Sequence, residues 1–338
     1  MIKLGILYGG KSTEHEVSKK SAKSILNNLN KEKYQIYPIF IDKDGKWFEE
    51  KNSNKIEIEN IIIYLKNLDI VFPVLHGLFG EDGTIQGLFE IAGVKYVGCK
   101  VLASSVGMDK AYTKIIFEKS KINQTKYLYV KKYKDSEYIY IDNNMDEKNI
   151  NIDELLNFVE KELKYPIFVK PSNSGSSVGV NKSENKEQLK QNIEEAAKYD
   201  NKILIEQGII GKEVECAVLG NDEIGVEVTN PGEILPAGEY YTFDSKYNDK
   251  SSETLVSARI SDEQKEEIIR LAKKAFLAID GNGLSRVDFF IENNTNKIYI
   301  NEINTMPGFT EISMYPKLFE KYGYKYSELL DKIIKINL

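Results

Sequence analysis

Residues 1 to about 98 alternate short, fully apolar runs with helices that are apolar on one side, and this alternation leaves few folds open. "KLGILYGG" reads as a buried strand. After a polar turn, Ala22, Ile25, Leu26 and Leu29 recur on one helical face, and "YQIYPIFI" follows as a second strand. "DIVFPVLHG", the short helix "TIQGLFEIAG" ended by Gly93, and "VKYVG" continue the βαβ succession. Strands buried on both faces with helical crossovers predict an open parallel α/β sheet for residues 1–98.

The pattern then changes. Residues 110–210 give a helix, strands at "KYLYV" and "YPIFVKP", a Ser/Gly-rich turn, a strand at "VGVNK", a polar helix near 184–199 and "KILIEQGI". Hairpins beside helices predict an α+β second unit over 99–210. The third unit, 211–338, carries strands near 212–220 and 223–229, a helix at 261–279, two strands around "NNTN" and a closing helix. Its segment at about 238–258 lacks apolar periodicity, and loops of that length in a compact protein are expected to be functional lids. The stretch 131–151 is polar enough to predict a mobile surface loop.

Charge and composition narrow the function. Lys+Arg number 46 against Asp+Glu 52, a net charge of -6 with the signs interspersed, which argues against a nucleic-acid partner. No stretch approaches the roughly 18 to 20 apolar residues of a membrane span, so a cytoplasmic chain without membrane partners is expected. Cys99 and Cys216 fit no metal or redox spacing and read as two free thiols; His15 and His76, the only imidazoles, are too few for a His-based metal site.

Four constellations carry chemistry. In "SRVDFF…IYINEINTMPG", a five-residue loop centred on Thr295 would set Asp288 opposite Glu302 and Arg286 opposite Asn304, all on one sheet face. Two carboxylates and an amide oxygen beside a guanidinium are hard ligands suited to Mg²⁺. A solvated hairpin face is the bland alternative, and the Thr-Met-Pro-Gly turn directly after "NEIN" favours the metal. In "YPIFVKPSNSGSSVGVNK", Lys170 ends a buried strand before small residues that let backbone N–H groups approach phosphates, although no Walker A loop is present. In "GGKSTEHEVS", Ser12 or Thr13 can cap a helix starting near Glu14, a candidate anion site. In "LHGLFGEDGTIQG", His76 lies at the carboxyl end of a parallel strand, where such sheets place ligands.

In this order, "GGKSTEHEVS", "HGLFGEDGTIQG", "MDK", "KPSNSGSSVGV", "YYTFDSKY", "RVDFF" and "NEINTMPGFTEISMYP" closely resemble the D-alanine–D-alanine ligases over nearly the whole chain. The resemblance implies a two-lobed ATP-grasp fold after the N-terminal sheet, with ATP and two Mg²⁺ ions, Mn²⁺ able to substitute, and D-alanine as substrate. Lys110 and Lys170 would meet the ATP phosphates, Glu206 the adenine or hinge region, and Glu213 the ribose. Asp288, Glu302 and Asn304 would hold the metal ions. Glu14 would take the ammonium of the first D-alanine, with His76 lining that pocket, and Ser176 and Tyr247 would link to Glu14 and close the lid. Lys246 and Ser313 would receive the second carboxylate, while Arg286 and the Gly308 N–H would stabilise an oxyanion. The resemblance also implies a homodimer built through the N-terminal unit.

Two positions depart from the common pattern: Phe243 stands where tyrosine is frequent, and Lys19 where leucine is usual. The Lys246–Tyr247 pair is generally absent from D-lactate-using relatives but can be retained by D-serine-using ones, so a D-alanine–D-serine or D-lactate ligase is the nearest alternative. A dinucleotide-dependent oxidoreductase lacks its GxGxxG fingerprint here. A non-catalytic nucleotide-binding module would need neither Arg286 nor the Glu302/Asn304 pair.

Overall fold

The structure, a computed structural model, describes residues 1–52, 54–235 and 253–338. The first unit runs β1 (Ile2–Gly9), α1 (His15–Asn28), β2 (Tyr34–Ile41), β3 (Trp47–Lys51), β4 (Asn54–Glu57), α2 (Ile61–Leu65), β5 (Ile70–Pro73) and α3 (Thr84–Ala92). Its sheet has the order β4-β3-β2-β1-β5. β1 is parallel to both neighbours, Leu4 pairing with Ile36 and Ile70, and it is apolar on both faces because helices cover both. The parallel centre agrees with the sequence reading. "VKYVG", by contrast, forms only a bridge from Tyr96 to Val71, and the β3–β4 hairpin adds an antiparallel edge. That hairpin escaped the sequence reading because β4 is exposed throughout and carries no apolar alternation.

Helices α4 (Val101–Met108) and α5 (Lys110–Lys119) lead to a second sheet. It comprises β6 (Tyr127–Lys134), β7 (Glu137–Ile141), β8 (Glu147–Asn151), β9 (Ile167–Pro171), β10 (Asn181–Ser183) and β11 (Lys202–Gln207), in the antiparallel order β10-β9-β11-β6-β7-β8. Helices α6 (Ile152–Glu162) and α7 (Lys186–Ala196) belong to this unit. The expected mobile loop at 131–151 is corrected: it holds the end of β6 and the strands β7 and β8, anchored by buried Tyr138 and Ile141. Two anchors among many lysines and acids are too sparse a signal for periodicity to register.

The third unit contains β12 (Gly211–Asn221), β13 (Gly225–Val228), β14 (Gly232–Leu235), β15 (Glu253–Leu255), α8 (Asp262–Ala278), β16 (Gly283–Glu292), β17 (Ile298–Asn304), α9 (Met314–Tyr322) and α10 (Tyr326–Ile336). The expected lid at 238–258 lies largely outside the described residues, and its last part supplies β15. Helix α8 starts at a capping box, Ser261 accepting from the Gln264 N–H while the Gln264 side chain returns to the Ser261 N–H, and buries Ile268, Leu271, Ala272, Ala275 and Phe276. Among the described residues no helix is long and apolar enough to cross a membrane. Cys99 and Cys216 are both free and buried.

Candidate active site

Glu14 stands at the turn between β1 and α1. Its carboxylate is buried and accepts the Ser176 hydroxyl, so residues 162 apart in sequence meet here. Two glycines make room for it: a Cβ on Gly77, whose φ is +72°, would fall 2.4 Å from Glu14 Oε2, and one on Gly175 would fall 2.7 Å away. The Ser12 hydroxyl accepts the Glu14 N–H at 3.2 Å and donates to the His76 carbonyl at 2.6 Å, which joins the two N-terminal loops.

The His76 imidazole is buried. Its Nδ1 faces two acceptors, the Met306 carbonyl at 3.1 Å and Glu81 Oε1 at 3.4 Å, so that nitrogen carries a proton. Burial opposes charge on His76, but the Glu81 carboxylate outweighs it and the imidazole is raised. Burial pushes the Glu81 carboxyl up to about 7 against the pull of His76, and Glu14 adds to the rise.

On the far side of the Ser/Gly loop, Lys110 donates from Nζ to the Ser174 carbonyl at 2.6 Å, so its ammonium lies against the small-residue turn. Ser176 (φ 48°) and Ser177 (φ 61°) take left-handed backbone in that turn, a conformation non-glycine residues adopt at some cost and mostly at functional sites. Lys170 and Lys114 share one carboxylate, Glu206, at 2.8 Å and 3.1 Å. Burial works against the Glu206 anion, yet the two ammoniums hold its pKa at about 2. Burial lowers Lys114, whereas Lys170, with Glu302 and Glu213 adding to Glu206, is raised despite burial. Lys110, Lys114, Lys170, Asn301 and Glu302 line one narrow pocket.

The β16–β17 ladder pairs Asp288 with Glu302 and Arg286 with Asn304, the register expected from the sequence. The route to it differs. β16 ends at Glu292 and β17 starts at Ile298, so the connection is the expected five residues, 293–297, but beside it Ile291 pairs with Ile298, one residue out of step with the Asp288–Glu302 pair. A bulge at Asn301 makes up that offset and turns Asn301 toward Lys170 Nζ, 3.5 Å away. Arg286 grips Asp288 with two bonds, Nε to Oδ1 at 2.8 Å and Nη2 to Oδ2 at 2.7 Å, and lies 3.2 Å from Glu215 Oε2. Burial notwithstanding, Asp288, Glu215 and Glu302 raise the guanidinium well above its ordinary value.

Gly308 and Ser313 also come together: a Cβ on Gly308 would meet Ser313 Oγ at 2.8 Å. Glu213 lies on β12, pairing with Phe290 and Ile234. Lys246 and Tyr247 lie outside the described residues.

Comparison with known proteins decides the family. The model of the D-ala D-ala ligase C-terminus matches residues 116–335, and that of the N-terminus matches 3–62 and 53–99. D-alanine–D-alanine ligase B of Clostridium tetani is 47% identical, covering 99% of this chain and 93% of that one. This chain belongs to the D-alanine–D-alanine ligase family. Among solved structures, the VanG D-Ala:D-Ser ligase of Enterococcus faecalis superposes with a TM-score of 0.85 at 33% identity, covering 100% of this chain and 99% of that one. The D-alanine–D-alanine ligase of Coxiella burnetii gives 0.82 at 30%, covering 99% and 93%.

Within this ligase family fold, four groups at the site were missed in the sequence. Lys114 follows Lys110 by four positions on α5, the spacing that places two residues on one helical face, and that signal was readable. Glu81 lay inside a quoted block but only the structure sets it against His76. Glu215 was hidden in a strand paired to Asp288 across β12 and β16, and Asn301 in the bulge.

Proposed function

We propose that this chain couples ATP cleavage to the joining of two D-alanines, through an acyl phosphate. A carboxylate is a poor acyl donor. The γ-phosphoryl group of ATP therefore passes to a carboxylate oxygen of the first D-alanine and ADP departs. The free amine of the second D-alanine then attacks the carbonyl carbon: the C–N bond forms, the C–O bond to phosphate breaks, phosphate leaves, and the amine proton goes to solvent or to phosphate.

In this reading Glu14 pairs with the ammonium of the first D-alanine, Ser176 holds that carboxylate in place, and His76 lines the same pocket. Lys110 and Lys170 meet the phosphates. Glu206, at the adenine or hinge region, also holds Lys170 and Lys114 beside the nucleotide, and Glu213 serves the ribose. Arg286 and the Gly308 N–H stabilise the oxyanion that forms when the amine attacks. Ser313, with Lys246, receives the second carboxylate, and Tyr247 closes over Glu14; the Lys246 and Tyr247 roles rest on the family resemblance alone.

Asp288, Glu302 and Asn304 fit magnesium in their donor chemistry. Asp288 pairs with Glu302 and Arg286 with Asn304 across β16 and β17, so two carboxylates and an amide oxygen share one sheet face, hard donors of the kind Mg²⁺ takes. Among the described residues no group of three or more His, Cys, Asp and Glu forms a cage of its own. Mg²⁺ is commonly held by one or two carboxylates plus substrate phosphates. When bound, Mg²⁺ or Mn²⁺ would neutralise phosphate charge during transfer.

The units 1–98, 99–210 and 211–338 are proposed as the three lobes around the site, in a cytoplasmic homodimer. The observation that carries the reading is the Glu14–Ser176 bond between Gly77 and Gly175, a buried acceptor shaped for a small ammonium next to the lysine-lined pocket. The test is ADP release from ATP and Mg²⁺ with D-alanine alone, then with D-serine or D-lactate added, the product identified by mass. D-alanyl-D-alanine from D-alanine alone supports the proposal. A dominant mixed product moves the second substrate to D-serine or D-lactate, and no D-alanine-dependent ADP overturns the reading.

A further inference from the structure

Three serines recur at every third position of α1, Ser18, Ser21 and Ser24, and each bonds to a residue outside the helix. Ser18 accepts the Gly9 N–H at 2.8 Å and donates to the Val74 carbonyl at 2.5 Å. Ser21 is fully buried. Its Oγ accepts the Phe309 N–H at 3.2 Å and lies 3.0 Å from His76 Nε2. Ser24 lies 3.2 Å from the Tyr326 hydroxyl, which donates to the Phe309 carbonyl at 3.1 Å.

We propose that Ser21 is a positioning residue: through His76 and Phe309 it holds the Met306–Phe309 turn so that the Gly308 N–H points at the reacting carbonyl. The role of Gly308 rests on the function proposed above; the hydrogen-bond chain does not. Counting protons fixes the chain's direction. The Phe309 N–H can only donate, so Ser21 Oγ accepts there, and when the His76 imidazole is neutral the Ser21 O–H is the donor to Nε2. His76 Nδ1 faces the Met306 carbonyl and Glu81, both acceptors, so it carries the ring proton. In mildly alkaline solution, where His76 is neutral, the ring proton sits on Nδ1 and every donor has an acceptor. Both ends of the turn are held, Met306 by His76 and Phe309 by Ser21 and Tyr326, with Gly308 between them. The Phe309 ring packs edge-on to Phe72 with centroids 5.7 Å apart, which gives the turn a fixed pivot. An oxyanion donor must be aimed before charge develops, because reorienting it during the reaction forfeits the benefit.

The test has two arms. The chain has only two histidines, so nitrogen-15 NMR of the imidazoles, assigned with His15→Gln, reads the His76 tautomer in mildly alkaline buffer without substrate. A bare Nε2 and protonated Nδ1 are expected, with the Nε2 signal moving in Ser21→Ala; protonation at Nε2, or no response to Ser21→Ala, overturns the proposal. In the activity arm, Ser21→Ala is expected to lower kcat about 10-fold or more while leaving KM for ATP within about twofold, and Ser21→Cys, with a weaker donor in the same place, to fall between. A change confined to KM, or to thermal stability, overturns it. A parent enzyme without D-alanine-dependent ADP release sinks the proposed function, and the NMR arm still decides the hydrogen-bond chain.

Discussion

Glu206 is a single carboxylate facing two buried ammoniums, Lys114 and Lys170. Its folded pKa, about 2, lies below the ordinary 4.5, so its contribution to stability is fully present above about 4.5 and is lost as pH falls through about 2. A depression of that size corresponds to about 3 kcal/mol. Glu206→Gln would leave Lys114 and Lys170 buried without their anion. It is expected to destabilise the fold by about 3 kcal/mol at neutral pH and to flatten the acid limb of stability, as denaturant titrations at a series of pH values would record. An unchanged acid limb would show that other groups carry it. Arg286 has a similar dependence in reverse, one cation among three acids. Arg286→Ala is expected to lower kcat by about 100-fold or more and to cost about 3–5 kcal/mol of stability by stranding Asp288 and Glu215. Arg286→Lys keeps the charge but not the two-pronged grip on Asp288, so it should recover stability more than turnover; near-normal turnover in Arg286→Ala, assayed on folded protein, would remove the oxyanion role.

Two elements carry most of the proposed site, the Ser/Gly loop after β9 and the hairpin β16–β17. In the loop, Gly175 leaves space for the Glu14 carboxylate, and a methyl group there would sit 2.7 Å from Oε2. Gly175→Ala should therefore displace Glu14 and raise KM for D-alanine about 10-fold or more with KM for ATP little changed. Equal losses on both substrates in steady-state kinetics would mean the whole loop had moved. The hairpin illustrates how far sequence reasoning reaches. Period-two alternation and the match of Asp288 to Glu302 were legible because side chains on facing strands must share a face. The one-residue offset beside the loop and the Asn301 bulge were not, since each alone would shift the register and only together do they cancel. The parallel β1, β2 and β5 were legible for the same reason that the β3–β4 hairpin was not: burial on both faces writes a continuous apolar run, and an exposed edge writes nothing. The Glu14–Ser176 bond could be expected only through family resemblance, since no local pattern reports a pairing between the first turn of the chain and a loop in the second unit.

The hydrophobic cores divide the molecule differently from the three sheets. Leu4, Ile6 and Phe72 of the first sheet belong to the same continuous core as Ala217 of β12, Phe309, and Leu329, Leu330, Ile333 and Ile334 of α10. The second sheet has its own core, built by α6, α7 and strands β6, β9 and β11 around Leu155, Val169, Ile193 and Ile205. The two ends of the chain thus share one core, while the second sheet packs around another. Cooperative unfolding units follow shared cores. Ile333 is fully buried, and Ile333→Ala should cost about 2–5 kcal/mol. Because that core spans both ends of the chain, the loss should appear as reduced hydrogen-exchange protection in β1, β5, β12 and β16 together, although β1 and β12 are distant in sequence. Protection in β6, β9 and β11 should change far less. Val169→Ala, in the other core, should give the converse pattern. If Ile333→Ala lowered protection equally in all three sheets, the molecule would unfold as one unit in spite of its separate cores.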